Sequence, residues 1–214
     1  MESATQFIFQ ILILIFSVVI HEVSHGYAAL ALGDRTAENA GRLTLNPIKH
    51  LDPFGSVILP LFLVFVRSPF LIGWAKPVPY NPNFLRNQTW GPALVGAAGP
   101  ASNLLLALFF GLFFRIIPAF SSIVPSALTE NLLVIVGYII FLNILLALFN
   151  ILPIPPLDGS KVFFSFLSYR WQKFQFFLEQ YGFFIVIAFI FLFGHLLFWT
   201  ASYLFRIIAG TILF

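Results

Sequence analysis

This sequence predicts an all-α polytopic membrane protein: a bundle of about five to six transmembrane helices, with a short β-hairpin or re-entrant segment after the first span. Three observations carry that reading. Of the 214 residues, 60% are hydrophobic and only 9% are charged, whereas soluble domains carry roughly 25% charged residues. Mean hydropathy is +0.97. Apolar runs long enough to cross a bilayer, which takes about 20 residues, recur along the whole chain. No internal repeat or appended soluble domain is visible, so residues 1–214 read as a single membrane-embedded domain.

The elements follow in order. A first span over 7–32 ends at the turn pair Gly33-Asp34. It is expected to be retained, because MESATQ has no basic leader character and no cleavage site follows the apolar run. The most polar stretch, DRTAENAGRLTLNPIKHLDP, alternates around Arg42, Leu43, Thr44 and Leu45, which predicts a short strand or hairpin. An apolar run over 54–72 is broken by Pro60, Arg67 and Pro69, and WAKPVPYNPNFLRNQTW reads as an irregular loop. Spans follow over 90–117, whose start GPALVGAAGPASN is rich in close-packing small residues, and over 131–152. The last third, 174–214, holds one or two further spans around His195 and Arg206.

Charge sets the topology. Arg35, Arg42, Lys49, Lys76 and Arg86 follow the first span, and Lys161, Arg170 and Lys173 follow the fourth apolar run, so both segments are expected on the cytoplasmic side. Two full crossings, 90–117 and 131–152, satisfy that parity only if 54–72 returns to its starting side. A net charge of +3 spread over so few charges is no nucleic-acid footprint. The chain has no cysteine, which excludes disulfides, thiolate ligands and a cysteine nucleophile.

Into the first span the sequence inserts HEVSHGYAAL after fourteen uncharged residues, 7–20. Ionisable groups at membrane depth cost several kcal/mol and are functional candidates by default. His21 and His25 are four apart and share a helix face, so both imidazoles can reach one ion. Glu22 lies at the edge of that face, within reach of a water at the ion's open position. This is the HExxH arrangement, two zinc ligands and a general base. Zinc needs a third protein ligand, and Asp158, directly after the fourth span, is the strongest candidate. Asp-Gly is also an ordinary turn pair, and the aspartate could instead cap the next helix.

With IHEVSHGYAAL in the first span, NILPIPPLDG at 150–159 and AAGPASN at 97–103, the chain resembles the site-2 proteases, the zinc intramembrane metalloproteases. GRLTLNPIKHLDPFG and GWAKPVPYNP resemble compact members without a PDZ domain. The matching segments lie within the catalytic core, about 7–162, and the helices of 174–214 carry no matching motif. The resemblance implies one Zn2+ held by His21, His25 and Asp158, Glu22 as general base, and Asn150 steadying substrate or the oxyanion. It implies substrates that are membrane proteins with a transmembrane segment, cut in or beside that segment, at a site in the cell membrane open to the cytoplasm. Asn103 reads as a polar contact joining the third apolar run to the first, His50 as a structural loop histidine, and His195 as a packed histidine with a backbone partner. A zinc or proton transporter using the same cluster, or a non-cutting relative, are the rival readings. No feature sets the oligomeric state.

Overall fold

The computed structural model describes residues 4–58, 62, 65–66, 75–120 and 125–210. The helices are α1 (Ala4–Ala31), the one-turn α2 (Thr36–Asn39), α3 (Gly91–Ile116), α4 (Ser126–Asn150), α5 (Gly159–Phe166) and α6 (Gln172–Ala209). Four are long and apolar enough to span a bilayer: Ile8–Ala31, Gly91–Phe120, Ser126–Asn150 and Gln172–Ala209. The all-helical membrane bundle is therefore as predicted, with four long apolar helices among the described residues rather than five to six. The 54–72 run, counted in that range, lies mostly outside the described residues, and the last third forms one helix of 38 residues rather than two, because neither Gly182 nor Gly194 is joined by a proline or turn pair that would end it.

α3 sits centrally, against α1 on one side and α4 on the other, with α5 across its N-terminal half and α6 against α4. At one end, Ala107 of α3, Val136, Ile140 and Ile144 of α4, and Ala201, Phe205 and Ala209 of α6 form a buried apolar cluster. Arg115 closes that end by donating from Nε to Ile208 O at 2.8 Å and from Nη2 to Ile207 O, satisfying carbonyls that the last turn of α6 leaves free.

The other end is polar and irregular. The expected hairpin is absent: no described residue is in a strand, and residues 42–46 run as coil with a bend at Thr44. Its neighbour in space explains why. Arg42 Nη2 donates to Lys76 O at 2.7 Å and Pro77 O at 3.3 Å, so the chain opposite is 76–79, where Pro77 and Pro79 have no N–H to give a ladder. The alternation of Leu43 and Leu45 does not mark a buried face: Leu43 packs near Gly26, whereas Leu45 is exposed and Arg42 is buried.

Lys76 N donates to His50 O at 2.8 Å, so the chain between these residues starts and finishes at one place. Arg86 N likewise donates to Leu32 O at 2.9 Å, which joins the end of α1 to the approach to α3. The described flanks of the 54–72 run therefore meet. Pro53–Ile58 begins the excursion as a π-helical turn. The positions 59–61, 63–64 and 67–74, with most of the expected re-entrant path and Arg67, lie outside the described residues. Asp34 ties the loops together: it accepts from Thr36 N at 2.9 Å and from Asn81 N at 2.6 Å.

Candidate active site

Three elements bring the predicted residues to one point. α1 supplies His21 and His25, one turn apart on one face, with ring centroids 4.7 Å apart. The turn between α4 and α5 supplies Asp158, and α3 forms the floor. His21 Nε2 and His25 Nε2 lie 2.9 and 3.1 Å from the same Asp158 oxygen, Oδ2. All three residues are buried, 6 to 7% exposed. The floor is Gly99, where a Cβ would stand 2.5 Å from His25 Nε2 and 2.6 Å from His21 Nε2. Only glycine lets α3 come this close to both rings.

The far ring nitrogens decide what can occupy the centre. His25 Nδ1 lies 2.6 Å from the Val95 carbonyl, which can only accept, so the proton of the neutral ring is on Nδ1. His21 Nδ1 donates to Asn103 Oδ1 at 2.8 Å. Both Nε2 atoms then point lone pairs at a carboxylate oxygen. Three acceptors facing one another are repulsive unless a cation sits between them. A tetrahedral zinc with ligand bonds of 2.0–2.1 Å would separate its ligands by roughly 3.3 Å, close to what is found. The donor set, two imidazoles and a carboxylate with their outer nitrogens hydrogen-bonded, fits that ion.

Asp158 does not cap α5: it occupies the N-cap position but makes no side-chain cap bond. Burial would raise its carboxyl, and the charge of the Lys161 ammonium opposes that shift. Lys161 Nζ donates to the other oxygen, Oδ1, at 2.8 Å, leaving Oδ2 as the one turned to the histidines. Burial pulls the Lys161 ammonium down, and the Asp158 charge and hydrogen bond outweigh it, keeping the group above its ordinary value. Its ammonium also lies 5.6 Å from the Tyr80 ring centroid.

Glu22 Oε2 accepts from Val78 N at 2.8 Å. Between Pro77 and Pro79, Val78 is the single N–H donor of the PVP triplet, and it goes to this carboxylate. A cavity of about 160 Å3 joins His21, Glu22, His25, Asp158, Asn150, Lys161 and Tyr80. His21, Glu22 and His25 also offer ligand atoms within 4.8 Å of one another.

The remaining predicted residues divide. Asn150 stands in the cavity wall, and its Nδ2 donates to Leu146 O at 3.0 Å, one turn back in its own helix. Asn103 is fully buried and joins α3 to α1 as expected, through His21 itself. His50 is buried away from the centre and holds Thr44 O at 2.8 Å. His195 is partnered by the Trp199 indole at 2.6 Å rather than by backbone.

Sequence reasoning missed Lys161, Val78, Asn143 and Ser17. Lys161 was visible at i+3 from Asp158, and Asn143 as a lone amide in an apolar run. The pairing of Val78 with a residue 56 positions away had no local signal.

The model of peptidase family M50 matches residues 9–193. Over 179 residues the chain is 39% identical to the Bacillus subtilis (strain 168) protein named "Putative zinc metalloprotease YwhC", covering 83% of this chain and 78% of that protein. It is 29% identical over 174 residues to the Mycolicibacterium smegmatis protein named "Putative zinc metalloprotease Rip2", covering 81% and 63%. For the Mycobacterium tuberculosis (strain H37Rv) protein of that name the figures are 30% over 148 residues, 67% and 51%. The chain thus spans between half and four-fifths of the length of these relatives. No solved structure matches it. On the family match and on the HExxH and LDG segments that meet in its fold, the chain belongs to peptidase family M50, the site-2 protease family.

Proposed function

We propose that this protein is a zinc-dependent intramembrane endopeptidase that hydrolyses peptide bonds in or beside transmembrane segments of membrane-protein substrates. One observation carries the reading: His21 Nε2, His25 Nε2 and Asp158 Oδ2 converge with lone pairs inward, and Glu22 lines the same cavity. His21, His25 and Asp158 would hold the ion. Zinc bound there supplies Lewis acidity and lowers the pKa of a water toward about 7.

The chain's own groups do the rest. Glu22 takes a proton from the attacking water and passes it to the departing amine, so the proton balance closes within one turnover. The N–H of Val78 holds one Glu22 oxygen and thereby aims the carboxylate. The Asn150 amide lines the cavity, and its N–H not given to Leu146 O would donate toward the developing oxyanion, an interaction worth several kcal/mol where geometry is right. A substrate helix must unwind locally, because a helical carbonyl is already hydrogen-bonded to its own chain.

The site end carries Arg35, Arg42, Lys49, Lys76, Arg86, Lys161, Arg170 and Lys173, whereas Arg115 and Arg206 lie at the other end. This asymmetry supports a cell-membrane orientation with the site open to the cytoplasm.

The test is cleavage of single-span substrates by purified protein, wild type beside Glu22→Gln. Cleavage that stops with a zinc chelator and falls about 1,000-fold in the variant is expected, with zinc content unchanged. Zinc flux into sealed vesicles without any cleavage would overturn the protease reading in favour of transport.

A further inference from the structure

A buried polar chain runs from His21 away from the cavity. His21 Nδ1 donates to Asn103 Oδ1 at 2.8 Å, and Asn103 Nδ2 donates to Asn143 Oδ1 at 3.2 Å. Asn143 Nδ2 donates to Ile139 O at 2.8 Å and to Ser17 Oγ at 3.0 Å. Both asparagines are fully buried and Ser17 is 4% exposed. The chain joins α1, α3 and α4, and no member of it beyond His21 lines the cavity.

Its direction is not free. The Ile139 carbonyl can only accept, so the NH2 end of Asn143 must face it, which turns Oδ1 toward Asn103. Asn103 must then present its own NH2 to Asn143 and its Oδ1 to His21. An acceptor facing Nδ1 puts the imidazole proton there and leaves a lone pair on Nε2, the atom 2.9 Å from Asp158 Oδ2. A flipped Asn103 would face NH2 against Nδ1 and oxygen against oxygen, and would select the opposite tautomer, which cannot ligate through Nε2.

We propose that Asn143, held by the Ile139 carbonyl, is a positioning residue that sets the tautomer of His21 through Asn103 and so prepares its Nε2 for the metal. The inference rests on the metal-site reading given above. For His25 the same task is done directly by the Val95 carbonyl. The two ligand histidines are thus polarised by backbone carbonyls of two different helices, one at first hand and one through two amides.

The experiment is 15N NMR of the histidine rings in metal-free protein in lipid, at a pH where the rings are neutral, with signals assigned by single substitution. His21 is expected in one form, protonated at Nδ1. In Asn143→Leu the Nε2-protonated form should appear, and zinc affinity, measured by chelator competition, should fall about tenfold, the usual scale for loss of a group that orients a ligand. Asn143→Asp sets a carboxylate oxygen against the Ile139 carbonyl, loses that anchor and should not restore the wild-type ring spectrum or affinity. Ser17→Ala leaves the Ile139 bond in place and should retain both.

A wild-type His21 protonated at Nε2 would overturn the proposal whatever the variants do, so it stands or falls even if Asn143→Leu does not fold. An Asn143→Leu protein that folds with unchanged ring spectrum and zinc affinity would overturn it equally. None of these readouts involves proteolysis, so a failed cleavage assay leaves the test of the relay intact.

Discussion

The two ends of the bundle are built on different physics. At the far end, Ile140, Ile144, Ala201 and Phe205 interlock with no polar partner among them, and α6 approaches α3 so closely that a Cβ at Gly111 would stand 2.2 Å from Ile208 Cγ2. At the site end, almost every contact is directional: Asp34 to Thr36 and Asn81, Arg42 to Lys76, Glu22 to Val78, His21 to Asn103. In lipid, shape packing replaces the hydrophobic drive that would assemble a soluble core. The comparison teaches that stability and chemistry are separable here: the far end should govern whether the helices stay together, and the site end whether they hold an ion.

The sharpest break with that division would come from Asp158. Because its side chain caps nothing, Asp158→Ala should leave helicity by circular dichroism unchanged while zinc affinity falls by about 100-fold or more, beyond the loss expected from an orienting group alone. A variant that loses its helical signal instead would show that the site end also holds the fold. The paired glycines make a finer comparison. Gly99→Ala drives a methyl into both ligand rings and should weaken zinc about tenfold with little change in unfolding midpoint. Gly111→Ala should do the reverse, costing about 1–3 kcal/mol of stability by overpacking and leaving zinc affinity as it was.

Smaller effects sharpen the same line. Lys161→Met removes the cation from Asp158 Oδ1 and frees the carboxylate to rotate. Zinc affinity should fall several-fold by chelator competition, and Lys161→Arg should recover part of it. Asp34→Asn should cost about 1.5–3 kcal/mol, the range for hydrogen bonds to a charged group, read as faster proteolysis in the 81–87 loop. Burial would raise the Asp34 carboxyl, but the bonds from Thr36 and Asn81 hold it below its ordinary value. That stabilisation is complete above the unfolded value of about 3.9 and is lost as pH falls through the folded value. Asp34→Asn should therefore flatten the acid limb of the stability profile.

How much of this was legible in the sequence follows the same divide. The spans and His21, Glu22 and His25 could be read locally, because hydropathy and i, i+4 spacing are properties of one segment. Asp158 could be placed near them only by topology and resemblance, since 133 residues separate it from His25. The hairpin failed because alternation around Leu43 implies a strand only if a neighbour can pair, and Pro77 and Pro79 deny it one. The last third read as one span or two, because an unbroken apolar run carries no mark of where one crossing ends and an overhang begins. Lys161 was read as a marker of topology, since a lysine three residues past an aspartate looks the same whether it faces water or an ion's ligand.

That overhang reaches the chemistry. At 38 residues α6 is about 57 Å long, nearly twice the roughly 30 Å of hydrocarbon in a bilayer. Gly182 abuts the carbonyl of Pro155, a Cβ there standing 2.1 Å from its oxygen, and Pro155 is three residues before Asp158. From Gly182 to Ala209 the helix still runs about 40 Å. With its last turn tied to α3 through Arg115 and Gly182 pressed on the turn that carries Asp158, α6 links the two ends of the bundle, so a helix without any site motif helps to fix the position of a ligand.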